Sequence, residues 1–111
     1  MIEESPRNFL IYLIALTWLS ENKVDDETAE KILPIVERTF EFAQELGRLV
    51  AEVKLGFKNL EEVNALRAEF HRFCNEIREV FKKDPHVLEI LNKLFEETDG
   101  VFEERLLSMF S

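Results

Sequence analysis

One cysteine, three glycines, three prolines and two histidines in 111 residues remove several classes of protein at the outset. A lone Cys74 closes no internal disulfide, so a reducing compartment, the cytoplasm, is the expected setting. Three glycines leave no Gly-rich loop, which excludes phosphate cradles of the P-loop and dinucleotide-binding types. No Ser-His-Asp or Cys-His arrangement stands out. With an apolar fraction of 46% and 33% charged residues, the scarcity of Gly and Pro also excludes disordered and low-complexity classes. Long helices with few turns are the expected outcome.

Positive charge is scarce as well. Fourteen basic residues face 23 acidic ones, for a net charge of -9, and the only basic cluster is the pair Lys82 and Lys83. Such a chain repels a phosphate backbone and an anionic membrane surface, so neither nucleic acid nor membrane is an expected partner. Cations or a basic protein patch fit the charge better. An excess of Glu over a single Gln, interspersed with Lys and Arg, matches surfaces favoured at high growth temperature.

What is present in abundance is apolar residues, concentrated from Phe9 to Leu19, where only Thr17 interrupts the series. As a helix this run is about 16 Å long, whereas a bilayer core needs about 30 Å. Glu3 and Glu4 precede it and no small-x-small site follows, so a folded helix is expected rather than a signal segment. A helix without a polar face must be surrounded by other elements or by a second copy of the chain. Phe9, Tyr12, Leu13, Leu16 and Trp18 are therefore expected in a core or an oligomer contact.

Ser5 and Pro6 are suited to start this first helix, which should end near Glu21. After a turn at Asn22 to Asp25, capped by Asp25 or Asp26, a second helix is expected from Asp26 to Leu55. Ile32, Thr39, Leu46 and Val53 recur every seven residues there, with Ile35, Phe42 and Leu49 between them. Pro34 should bend or split it early, and Gly56 suits a left-handed cap. Asn59 with Glu62 starts a third helix whose seam is Val63, Leu66, Phe70, Phe73, Ile77 and Val80. The short connection predicts an antiparallel hairpin of the second and third helices. Asp84-Pro85 begins a fourth, with Val87, Leu91, Leu94 and Phe95 on one face, expected to stop near Gly100. A last amphipathic segment, Val101 to Phe110, is expected to dock its end. The whole reads as a single all-α domain, an antiparallel bundle of four to five helices with a central apolar N-terminal helix.

Four constellations carry candidate chemistry. Glu76-x-x-Glu79 and, after sixteen intervening residues, Glu96-x-x-Asp99 form two acidic pairs. Their spacing resembles that of all-α nucleotide pyrophosphohydrolases of the MazG type. The resemblance covers those four residues and implies that their carboxylates hold Mg2+ or Mn2+ against a triphosphate. Glu76 and Glu79, however, fall outside the third helix's seam, and a solvated acidic face is the alternative. Arg67 and His71 invite comparison with the HEPN nucleases, in which four to six residues separate Arg from His; here three intervene. His71 and Cys74 share a helix face, but a closed zinc site wants four ligands and the only other histidine is His86. A surface histidine and a core-edge cysteine are expected.

The fourth constellation is an acidic edge. Glu62, Glu69 and Glu76 repeat along the third helix, and Glu45 and Glu52 occupy the matching position of the second. Seam-to-seam pairing would set Glu45 opposite Glu76 and Glu52 opposite Glu69, a groove for cations or a basic segment. Ten Phe, several of them off the seams (Phe9, Phe40, Phe57, Phe102, Phe110), suit either core packing or a partner surface. The expected function is a small non-catalytic protein-protein interaction or assembly module, homodimeric through its first helix. The alternative is the metal-dependent nucleotide hydrolase.

Overall fold

The computed structural model describes the backbone of residues 6–109 and the side chains of residues 13–109. The Ser5 cap, the side chains of Phe9 and Tyr12, and the docked Phe110 lie outside the described residues. Within them the chain is all-α, with four helices and no strand: α1 (Pro6–Glu21), α2 (Asp26–Lys54), α3 (Leu60–Val80) and α4 (Pro85–Ser108). It packs as two compact units, Met1–Phe40 and Glu41–Ser111, so the division falls inside α2.

The helix ends follow from local hydrogen bonding. Asp25 Oδ1 accepts from the Thr28 backbone N–H at 2.7 Å, and hydrogen bonds from Thr28 hold the Asp25 carboxyl below its ordinary value. Asn59 Oδ1 accepts from Glu62 N–H at 3.2 Å, and Asp84 Oδ1 accepts from Val87 N–H at 3.3 Å with Pro85 in the first turn. At the end of α2, Gly56 takes a φ of 84°, while Phe57 N–H donates to Glu52 C=O and Gly56 N–H to Val53 C=O. This paired closure needs a left-handed residue, which glycine adopts without strain. α1 closes the same way on a lysine, Lys23, with a φ of 56° and Val24 N–H donating to Leu19 C=O.

Two expectations are corrected here. Pro34 does not split α2, which continues through it. Pro34 and Glu30 are both exposed, so water can take the Glu30 carbonyl that the proline ring leaves without a donor. Nor does the fourth helix stop at Gly100: α4 runs on to Ser108 and absorbs the expected fifth helix. Leu91, Leu94, Phe95, Thr98 and Phe102 form one buried stripe across the glycine, and that packing outweighs the roughly 1 kcal/mol glycine costs a helix interior.

In the unit of residues 6–40, Ala15, Leu19, Ile32, Ile35, Val36 and Thr39 are buried. The Thr39 hydroxyl donates to the Ile35 carbonyl at 2.8 Å, so this buried group is not stranded. Yet α1 is not shielded all round, as its sequence suggested. Leu13, Ile14 and Leu16 are 44%, 48% and 39% exposed, and Trp18 is half-buried.

In the unit of residues 41–109, the end of α2, α3 and α4 pack around phenylalanines. The Phe70 ring lies 5.3 Å from Phe42, 6.2 Å from Phe95 and 5.4 Å from Phe102, centroid to centroid. Phe73 joins at 5.5 Å from Phe42 and 6.2 Å from Phe95. Phe102 is thus core, whereas Phe57, at the α2/α3 turn, is 75% exposed and Phe40 is half-buried. α3 and α4 run antiparallel, since Arg67 meets Asp99 and Arg78 meets Asn92.

Gly100→Ala should stabilise the protein by about 0.5–1 kcal/mol, because a Cβ there meets nothing within 4 Å and the backbone is helical. Phe70→Ala should cost about 3–5 kcal/mol. Urea unfolding followed by circular dichroism measures both.

Candidate functional site

A polar cluster joins α3 to α4. Arg67 and His71 stand one turn apart on α3, so both side chains reach the same stretch of the facing helix. Arg67 donates from Nε to Asp99 Oδ1 and from Nη2 to Asp99 Oδ2, each at 3.0 Å, a two-pronged match of guanidinium to carboxylate. His71 Nε2 donates to Asp99 Oδ1 at 2.6 Å. The Arg67 bonds, aided by His71, hold the Asp99 carboxyl below the usual carboxylate range against the opposing effect of burial, and the same bonds raise Arg67.

Two turns further along α3, Arg78 donates from Nε to Asn92 Oδ1 at 2.7 Å and from Nη1 to Asn75 Oδ1 at 3.0 Å. Its guanidinium carbon sits 5.5 Å from the centre of the Phe95 ring. Between the two clusters opens a pocket of about 320 Å³, bordered by His71, Cys74, Arg78, Glu96 and Asp99. Burial pushes the Cys74 thiol up to about 11, so it is protonated and poorly nucleophilic at neutral pH.

The metal-binding alternative is not assembled. Asp99 is committed to Arg67 and His71, Glu79 pairs with Lys82 at 2.6 Å, and Glu76 and Glu96 are exposed. Among the described residues no group of three or more His, Cys, Asp or Glu is placed to hold a metal ion. Helical spacing set each pair on a face, but it could not reveal that arginine and histidine on α3 compete for Asp99. Arg67 and His71 both turn onto Asp99, a carboxylate that the comparison with the HEPN motif did not supply.

The acidic edge has a different register from the one expected. α2 and α3 are joined by residues 55–59, and residues equidistant from Phe57 face each other, as the contacts of Phe42 with Phe70 and Phe73 attest. Glu45 therefore lies across from Glu69 and Glu52 from Glu62, one heptad away from the expected pairing, and Glu76 is left out of the groove. The tight turn determines the register, which the heptad pattern alone leaves open. Arg48, Lys58 and Arg72 line the same groove; Arg48 reaches Glu45 at 3.7 Å and Lys58 reaches Glu62 at 3.9 Å. The groove is of mixed charge rather than acidic, and its exposed pairs contribute little to stability.

An apolar feature lies on α1. Leu13, Ile14, Thr17, Trp18 and Glu21 border a shallow hollow of about 320 Å³. Among the described residues no helix is long and apolar enough to cross a membrane. No family model, no curated protein and no solved structure matches the chain.

Asp99→Asn removes the charge that Arg67 and His71 share and should destabilise the protein by about 1–2 kcal/mol at pH 7, partial exposure reducing the full value of a charge-assisted pair. Because the folded carboxyl is depressed, its contribution is present above the unfolded value of about 3.9 and fades as pH falls toward the folded value. Urea denaturation of both proteins at pH 7, 5 and 3 should show the gap narrowing at the lowest pH.

Proposed function

We infer that the chain is a small cytoplasmic, non-catalytic assembly module that pairs with a second copy of itself through α1. The observation that carries this reading is the adjacency of Leu13, Ile14 and Leu16, all exposed, on one helix. Isolated apolar side chains on a surface are ordinary, but three large neighbours beside an apolar hollow favour a covered state.

Charge supports a second copy as the occupant. A net charge of -9 makes two copies repel wherever their acidic faces meet. From Asn8 to Ser20 there is no Asp, Glu, Lys, Arg or His, so two such chains can approach along this stretch with few like charges in contact, Glu21 standing at the edge of the hollow. A two-fold pairing would cover the same patch on both copies at once, which is the commonest solution for soluble homo-oligomers. The mixed-charge groove between α2 and α3 offers a basic partner less, since three cations already sit among its acids.

Sedimentation equilibrium at tens of micromolar should find a dimer. Replacing Leu13 and Leu16 together by Glu should weaken it at least 100-fold, from a loss of about 1.5–3 kcal/mol for each buried leucine, with helical content retained. A monomeric parent protein, or a variant that pairs as the parent does, would overturn the reading.

A further inference from the structure

Two arginines of α3 reach toward α4, and they are treated differently. Arg67 is matched oxygen for nitrogen by a carboxylate, while Arg78 is held by two neutral amide oxygens and the face of Phe95. Among the described residues no carboxylate forms an ion pair with Arg78. A guanidinium has five N–H donors, of which this one spends two, so three remain on a group already fixed in place. That fixing matters in a pocket, because the entropy of ordering a long side chain is lost before any ligand arrives.

Arg78 borders the α3/α4 pocket of about 320 Å³, a volume suited to a metabolite-sized molecule. The acids of the lining do not cancel its role equally. Asp99 is already neutralised by Arg67, which leaves Glu96, an exposed side chain, as the opposing charge. His71 lies two turns from Arg78 on the same helix, about 10 Å along the axis, so it would meet the far end of a ligand rather than the group at Arg78.

We propose that this pocket binds a small oxyanionic group, the carboxylate or phosphate of a metabolite-sized molecule, on the forked guanidinium of Arg78. Planar bidentate recognition is common to both anions, and a lysine at this position would keep the charge while losing the fork. Since Glu96 opposes the ligand, binding is weak in the parent protein and stronger once that charge is removed.

The test follows the Arg78 Nε–H resonance by NMR during titration with inorganic phosphate and, separately, succinate, at constant ionic strength. A saturable shift with either anion in the millimolar range is expected. Glu96→Gln should tighten the dissociation constant about 3- to 10-fold, and Arg78→Lys, followed through the Asn75 and Asn92 amide groups, should weaken it 10-fold or more. A linear, unsaturated response, or Glu96→Gln titrating as the parent does, overturns the proposal even if Arg78→Lys fails to fold. So does saturation by a short single-stranded oligonucleotide at lower concentration than by either small anion.

Discussion

Phe70 keeps no surface in water, and three helices meet on its ring. Phe42 approaches from α2 edge-on, Phe102 stacks from α4, and Phe95 comes in nearly perpendicular from the same helix. Aromatic pairs in such offset and edge-to-face arrangements add about 0.5–1.5 kcal/mol beyond the area they bury. Because the rings interlock in different planes, sliding either neighbouring helix by one turn along α3 would break several of these contacts together. The register of Arg67 against Asp99, and of Arg78 against Asn92, is inherited from this packing.

The polar contacts of α3 and α4 sit at the margin of that apolar centre. They give orientation as well as a modest share of stability, since partial exposure to water screens each ion pair. Their arrangement is nonetheless uneven: one arginine is neutralised and the other is propped by amides. A chain with so many acids could have supplied a carboxylate at either position, and the difference has chemical consequences for the pocket between them.

Most of the helical layout was legible in the order of residues. Asn59, Asp84 and Pro85 mark helix starts through hydrogen bonds that any chain would form locally, and Gly56 marks a stop through its backbone freedom. Gly100 misled because a propensity of about 1 kcal/mol was set against a buried stripe whose weight only tertiary packing reveals. The acidic edge misled for a related reason: a heptad pattern says which face is turned inward, not how far two helices slide, and a five-residue turn centred on Phe57 decided that. Arg67, His71 and Asp99 were each visible as residues, and Arg67 and His71 even as a pair. Nothing in a linear spacing indicates that a carboxylate 28 residues beyond His71 returns to both. Arg78 carried no signal at all, since the absence of a carboxylate partner is a property of three dimensions.

The burial of Cys74 has a practical consequence. The chain's single thiol is 2% exposed and sits beside the pocket on the inner side of α3, so an alkylating reagent meets it when the residues around it part. Its rate of modification is therefore a clock for the opening of this half of the molecule, read from one atom and without any added label.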